Sequence, residues 1–445
     1  MTGLILKTKK LLLILGDIAC LYLALWLTLW IRYGSGFDAN SWQIHYRALT
    51  FIFALWLLVF YICDFYDLKT SYNNFSLFSV LFRATIINGI IAVFAFYFLA
   101  PFFPAIKPQK VLIIDLIITF IFIFSWRRIF YGLIKSPQIA NYILIIGQNS
   151  LAENLMKEIV RRPQLGYVAT LLERAPEDLK KYCLDNNIDI VITDNSLHTD
   201  AATAKKIFDC LSLGIDVHRL TDFYETITQK VPIESIELGW FLENLTENSK
   251  KSYELLKRLI DIILAVIGLM VTAPLVPLIA LIIKLESPGP IIFRQIRVGK
   301  NGKEFLAKKF RSMVRDAEKN GAQWATKNDA RVTRFGRIMR KTRLDEVPQL
   351  LNVLRGEMSL IGPRPERPEF IQSLSQEIPF YSERLLVKPG LTGWAQLMGP
   401  SYGGSKEETV EKIKYDLYYV KNRSPLLDLS IALKTIRVVL GGRGQ

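Results

Sequence analysis

Cysteine and histidine are scarce in this chain. Its 445 residues include four cysteines and three histidines. Cys20, Cys63, Cys183 and Cys210 stand too far apart in sequence to suggest a metal clip or a redox pair, and they read as buried small hydrophobes in a reducing compartment. His198 and His218 have no metal-like partner nearby either. Net charge is missing from the first 249 residues, where 22 basic side chains meet 22 acidic ones. The formal charge of +15 therefore lies beyond them, in a segment with 34 basic and 19 acidic residues. A basic segment joined to a neutral, apolar half calls for a phosphate-rich partner, which is nucleic acid, anionic lipid or a phosphorylated metabolite. A hydrophobic content of 51% excludes a disordered chain.

Long apolar runs are what the first part has in abundance: 11–31, 49–63, 84–103 and 111–126. Runs of about 17 to 25 residues cross a bilayer, and the shorter two gain length from aromatic margins. The first run lacks the small-residue cleavage site of a signal peptide. With the N-terminus inside, eight flanking Lys and Arg fall in the cytoplasm and four outside, the asymmetry expected of membrane spans. Asp17 and Asp115 lie within spans and read as interhelical hydrogen-bonding groups or snorkelling ends, with a functional role as the alternative.

From Asn141 the pattern changes. YILIIG, YVATLLE, IDIVITD and IDVHRL alternate with amphipathic segments, which predicts a parallel α/β sheet of Rossmann type. A dinucleotide loop would read GxGxxG after the first strand, but here Gly147 is followed by Gln148, Asn149, Ser150, Leu151 and Ala152. Asn149 stands where a second glycine would let a pyrophosphate approach the backbone. Four spans and a Rossmann-like domain also suit a membrane-anchored nucleotide-sugar dehydratase, but the missing glycines weigh against that alternative.

Residues 259–283 form a further apolar stretch, interrupted by Asp261, Pro274 and Pro277. Its length fits a fifth span, yet Lys and Arg flank it on both sides, which keeps both ends in the cytoplasm. Prolines kink helices. The expectation is a re-entrant helix that breaks at Ala273, Pro274 and Pro277; a kinked span is the alternative.

The densest cluster of charge is ARVTRFGRIMRKTRLDEVPQLLNVLRGEMSLIGPRP. Pro348 tolerates only a first helical turn, so a helix should begin near Asp345 and end near Gly356. Asp345 and Glu346 then sit at a helix N-terminus, where ionised carboxylates suit a nucleophile or metal ligand, or merely cap the helix. Helical spacing places Arg334, Arg337 and Lys341 on one face, which makes Arg337 a phosphate-binding candidate unless the face is solvated or rests on a membrane. Cations beside a carboxylate pair and a divalent ion are what phosphoryl transfer uses.

Together KRLIDIILAVIGLMVTAPLVPLIALIIKLESPGPIIFRQIRVGKNG, KKFRSM, TRLDEVPQLLNVLRGEMSLIGPRP, KPGLTGWAQL and YDLYYVKNRSPLLDLSIALKT closely resemble the bacterial sugar transferases, the polyprenyl-phosphate hexose-1-phosphate transferases. The likeness runs from Lys257 to Leu440, and the first half is similar to the large members of the family. The resemblance implies that Asp345 attacks the sugar-bearing phosphorus of a UDP-hexose and expels UMP, and that undecaprenyl phosphate collects the phosphosugar. By the same likeness Glu346 helps Asp345 hold Mg²⁺, while Lys309, Arg340, Arg364 and Asp428 fall at polar active-site positions. Trp394 and Gln396 either face the nucleotide or pack. Two departures stand out. The break reads Ala273-Pro274 where Ser-Pro is frequent, so a hydroxyl-to-backbone bond there must come from Thr272 or be absent. After Gln396, Leu397-Met398-Gly399-Pro400 replaces the Asn-Gly-Arg of many relatives.

The expected architecture is a membrane protein with a four-helix transmembrane bundle (1–135), a cytoplasmic α/β Rossmann-like domain (136–249), a re-entrant membrane helix (250–285) and a mainly α catalytic domain (286–445). The expected activity is hexose-1-phosphate transfer from UDP-glucose, with UDP-galactose next, to undecaprenyl phosphate at the inner membrane, initiating exopolysaccharide or another surface glycan. Membrane lipid is an expected partner, the family likeness implies a homodimer, and nucleic acid is excluded because the cations accompany acids and a membrane hairpin rather than a reading module.

Overall fold

The apolar runs fold as helices wherever they are long enough to satisfy their own backbone, and the computed structural model describes residues 2–69, 73–99, 108–134, 136, 139–194, 201–245, 250–315, 317, 329–400 and 405–440. His198 lies outside them. Two compact units divide the chain, Met1–Thr228 and Gln229–Gln445.

In the first unit, α1 (Thr2–Tyr33), α2 (Ala39–Ile62), α3 (Asn74–Leu99) and α4 (Pro108–Ile134) form a bundle in which α1 packs along α4 and α2, and α3 along α2 and α4. Asp38 caps α2 by accepting from the Ser41 N–H at 2.8 Å, satisfying one orphan donor. Gly16 allows the closest approach of α1 and α4, since a Cβ there would lie 2.1 Å from the Trp126 ring. Among the described residues, four helices are long and apolar enough to cross a membrane: Leu6–Gly36, Ala39–Ile62, Asn74–Phe98 and Lys251–Glu286. α4, at 27 residues, contains the expected fourth N-terminal run. Exposed Phe94, Ile113 and Ile117 face outward, as lipid contact requires. Asp17 is fully buried and pairs across the bundle with Arg127, which also donates to the Phe65 carbonyl at 2.8 Å. Asp17 is therefore an interhelical partner rather than a snorkelling end. Asp115 is buried as well.

The α/β half carries β1 (Asn141–Ile146), α5 (Ser150–Val160), β2 (Tyr167–Leu172), α6 (Leu179–Asp185), β3 (Ile190–Thr193), α7 (Ala201–Leu211), β4 (Asp216–Arg219) and α8 (Leu220–Thr228). Its strands are all parallel in the order β2-β1-β3-β4. Alternation along β1 sends Ile143 and Ile145 into a core with Leu155, Phe223 and Ile227, and Leu144 and Ile146 into another with Leu179, Cys183, Ile207 and Cys210. Helices thus cover both faces, as a parallel sheet requires. The four cysteines are free thiols. The winding reverses between β1 and β3, where open α/β sheets bind ligands. There Asn149 caps α5 through Ala152 N–H at 2.8 Å and donates to Asp194 Oδ2 at 2.8 Å, tying together the loops after β1 and β3.

The second unit begins earlier than the sequence pattern suggests. Val231, Ile233, Ile236 and Phe241, the last on α9 (Leu238–Asn244), pack on Ile378, Tyr381, Ile413 and Leu417. Short apolar segments without a repeat give no clue to which neighbour they join. α10 (Lys251–Thr272) and α11 (Val276–Glu286) are separated by a 3-10 turn at Ala273–Leu275. Thr272 Oγ1 donates to the Gly268 carbonyl at 2.7 Å, the hydroxyl-to-backbone bond expected when alanine precedes Pro274. A hairpin of β5 (Ile292–Val298) and β6 (Glu304–Phe310) follows, with Asn301 and Gly302 at positive φ in its turn. Next come α12 (Arg334–Thr342), α13 (Leu350–Arg355), β7 (Ser359–Ile361), α14 (Pro368–Glu377), β8 (Gly390–Thr392), α15 (Trp394–Met398), α16 (Lys406–Asn422) and α17 (Pro425–Leu440). Both arms of the broken helix rest on this domain. Ala265 of α10 packs with Phe305, Val353 and Met358, and Ile279 and Ile283 of α11 pack with Phe310 and Met339. Arg258 also donates to the last carbonyls of α13, at Val353 and Leu354.

Candidate active site

Asp345 and Glu346 owe their place to a sharp turn. α12 ends at Arg343, which adopts a left-handed conformation (φ 61°) that non-glycine residues rarely take. The chain then runs through a 3-10 turn, Leu344–Gln349, before α13, and Gly356 closes α13 in the left-handed conformation. The helical segment thus starts one residue before Asp345 and ends at Gly356, as Pro348 and Gly356 predict. Asn352, fully buried, anchors α13 to β6 by donating to Leu306 O at 2.7 Å and accepting from Lys308 N–H at 3.2 Å. That bond fixes the strand carrying Lys309 against the turn carrying the acids.

Both carboxylates are buried, with the residues 7% and 9% exposed. Glu346 accepts from Lys309 Nζ (3.3 Å) and Arg364 (3.0 Å) on one oxygen and pairs with Arg343 (3.3 Å) on the other. Burial alone would raise its carboxyl, but Arg364, Lys309 and Arg343 outweigh that and hold it well below the usual range. Asp345 differs: burial, then the charge of Glu346, pushes its carboxyl up, and its Oδ1 is buried without a partner. Arg340 donates through Nε to Ser312 Oγ at 2.9 Å, and its charge acts favourably on Asp345. Four cations therefore surround two acids. The surplus positive charge, in a site largely shielded from water, suits an entering diphosphate.

Lys309, Arg340 and Arg364 converge on the acidic pair as expected. Arg337 does not. It is exposed on α12 with Arg334, Ile338 and Lys341, whereas Gly336, Met339 and Arg340 turn inward. Asp428, at the start of α17, accepts from Lys257 Nζ (2.8 Å), Tyr253 (2.8 Å) and Tyr419 (2.9 Å). It shares with Glu346 and Arg343 the wall of a cavity of about 430 Å³ that Lys257, Asp261, Thr392 and Thr435 also line, and whose apolar share comes largely from α10 and α17, as with Leu256, Ile260, Leu264, Leu429 and Val438. Gln396 lines the same cavity with its Oε1 unpartnered, while Trp394 packs, buried, against Tyr418. Arg343, in the sequence one of the cations that precede the pair and without a role of its own, is a direct participant; its place three residues before Glu346 was the available signal.

No cluster of three or more His, Cys, Asp or Glu occurs among the described residues. A hard divalent cation such as Mg²⁺ does not need one, because it takes one or two carboxylates together with substrate phosphates. The orphan Oδ1 of Asp345 fits that requirement, whereas the oxygens of Glu346 already face three cations.

The family described as bacterial sugar transferase matches residues 252–442. A UDP-N-acetylgalactosamine-undecaprenyl-phosphate N-acetylgalactosaminephosphotransferase of Aeromonas hydrophila is 45% identical over 238 residues, 53% of this chain and 55% of the relative. A UDP-glucose:undecaprenyl-phosphate glucose-1-phosphate transferase of Caulobacter vibrioides is 44% identical over 188 residues, 42% of this chain and 70% of the relative. An exopolysaccharide production protein PSS of Rhizobium leguminosarum bv. phaseoli is 44% identical over 188 residues, 41% of this chain and 93% of the relative. The chain thus spans about half the length of the Aeromonas protein and nearly all of the Rhizobium one. With so much of these smaller relatives covered at such identity, the chain belongs to the bacterial sugar transferase family.

Proposed function

We propose that this protein transfers hexose-1-phosphate from a UDP-hexose, UDP-glucose first and UDP-galactose next, to undecaprenyl phosphate and thereby initiates exopolysaccharide or another surface glycan. The observation that carries the reading is the asymmetry of the acidic pair: three cations hold Glu346, and Asp345 has a free oxygen. An Asp345 oxygen attacks the sugar-bearing phosphorus. As that P–O bond forms, the bond to the UMP oxygen breaks and UMP leaves. A phosphate oxygen of the lipid then attacks the same phosphorus, the bond to Asp345 breaks, and the carboxylate is restored. Lys309, Arg340, Arg343 and Arg364 neutralise the phosphoryl oxygens throughout. Mg²⁺ held through the free oxygen of Asp345, rather than through Glu346 with its three cations, would add further charge neutralisation on the diphosphate.

The cavity between α10 and α17 supports a lipid acceptor, since Glu346 and Arg343 stand in its wall and its many apolar side chains suit isoprene units. Exposed Ile338 among Arg334, Arg337 and Lys341 supports contact with an anionic membrane surface. The two arms of the broken helix, both resting on one domain, support a re-entrant hairpin with the domain on the cytoplasmic face of the inner membrane. A tag placed after Gln445 is expected to react only from the cytoplasmic side; labelling from the periplasm would overturn the hairpin. A homodimer is proposed from the family likeness, and a single-chain mass in native mass spectrometry would remove it.

A UMP-release assay over UDP-glucose, UDP-galactose and UDP-N-acetylgalactosamine, with undecaprenyl phosphate, tests the reaction. The N-acetylated donor belongs in it because the Aeromonas relative carries that sugar in its name. UDP-glucose is expected to turn over fastest, and release from none of the three would overturn the proposal. In the same assay Ala432→Phe, which puts a ring into the cavity wall, is expected to raise the lipid KM by about tenfold, the cost of roughly 1.4 kcal/mol. The lipid-independent first half should be unchanged; an unchanged lipid KM would remove the chain from this cavity.

A further inference from the structure

Arg364 reaches Glu346 from a backbone that cannot hold itself. Pro363 and Pro365 lack N–H groups, so this stretch contributes acceptors and few donors. Four consecutive carbonyls are nevertheless satisfied, each from a different place. Gly390 N–H donates to Pro363 O (2.9 Å), Arg384 to Arg364 O (3.0 Å), Arg297 to Pro365 O (3.0 Å) and Val298 N–H to Glu366 O (3.0 Å). Two of these donors are backbone groups of β-elements. The other two are guanidiniums.

Arg384 is the more deeply placed of the pair. It is 7% exposed, donates to the hydroxyl of buried Tyr381 at 2.8 Å, and forms an ion pair at 2.7 Å with Asp416, itself 2% exposed. A buried guanidinium needs a paired charge and full hydrogen bonding to persist. Asp416, Tyr381 and the Arg364 carbonyl together provide both. The cation therefore has one fixed orientation, and through it the peptide bearing Arg364 has one as well. Arg384 sits in a 3-10 turn, Tyr381–Leu386, and Asp416 on α16, so the arrangement ties two further elements to the active-site segment.

Resting on the reading of Arg364 and Glu346 as parts of the transfer site, we infer that Arg384, backed by Asp416 and Tyr381, is a positioning residue that acts through Arg364. It touches neither acid, and its effect is to keep the Arg364 guanidinium within reach of Glu346 and of the substrate phosphate beside it. Displacement of a catalytic group by about 1 Å costs up to about 100-fold in rate.

The test is a double-mutant cycle on the full chain in detergent, read as UMP release. Arg384→Gln is expected to lower kcat by about 100-fold in the wild-type background. In an Arg364→Gln background the same change should cost less than about threefold, because the group it positions has gone. A merely structural role would cost the same factor in both backgrounds, and that result overturns the inference. If Arg384→Gln fails to fold, the cycle is run with Tyr381→Phe, which removes only one acceptor from Arg384. Its smaller loss should likewise vanish without Arg364. An inactive wild type would sink the transferase reading itself, whereas an active wild type with an additive cycle would sink only the role of Arg384.

Discussion

Asp345→Asn is expected to reduce UMP release by about 10⁴-fold or more, the scale of removing a nucleophile. It should also abolish the covalent phosphosugar adduct that the proposed mechanism expects when UDP-sugar is supplied without lipid. The amide keeps the shape of the carboxylate but has neither its charge nor its nucleophilic oxygen, so the loss cannot be assigned to a cavity. Glu346 is a poor substitute, since Lys309, Arg364 and Arg343 engage both of its oxygens and lower its basicity. Intact-protein mass spectrometry after incubation with UDP-glucose reads the adduct directly. A full-strength adduct in the variant would move the nucleophile elsewhere.

That prediction shows how the motif and the three-dimensional site divide the work. The pair itself was legible, because Pro348 fixes where a helix can start and Gly356 where it can end. The difference between its members was not. It depends on Lys309 coming from a strand 36 residues upstream and Arg364 from a proline-bounded segment 18 residues downstream. Arg337 illustrates the opposite failure. Its spacing from Arg334 and Lys341 correctly places the three on one helical face, but that face is the outer one. The inward face is marked by Gly336 and Met339, an apolar signal that a search for cations overlooks. The pairing of Arg384 with Asp416 carried no signal: 32 residues separate them, and although Asp416 lies on the buried face of α16, nothing in that periodicity names its partner.

The membrane and α/β regions were legible where the pairing of Arg384 with Asp416 was not. Their residues repeat. A run of apolar side chains or an alternation along a strand encodes burial locally, and the parallel strands and long helices follow. What the pattern omits is the loop chemistry: Asn149, at a position where the dinucleotide motif has glycine, binds Asp194 and cross-links the loops after β1 and β3. The segment after Thr228 also joins a different unit from the one it follows in sequence.

The largest effect on stability should come from the bundle, at Asp17 and Arg127. Both side chains are fully buried, and the Arg127 guanidinium also lies 4.5 Å from the Phe65 ring centroid and 5.4 Å from that of Tyr66. Removing one member strands the other. Asp17→Leu leaves an arginine among spans without the carboxylate that neutralises it, and such half-removal of a buried pair costs about 3–5 kcal/mol. In a lipid-facing bundle the stranded cation also resists insertion. The double variant Asp17→Leu/Arg127→Met removes both charges and should recover most of the loss, since a buried pair contributes little beyond its apolar replacement. Thermal unfolding of the detergent-solubilised protein distinguishes these outcomes. If Asp17→Leu and the double variant melt alike and both far below wild type, packing rather than charge compensation governs the site; if all three melt together, the pair contributes nothing to the bundle.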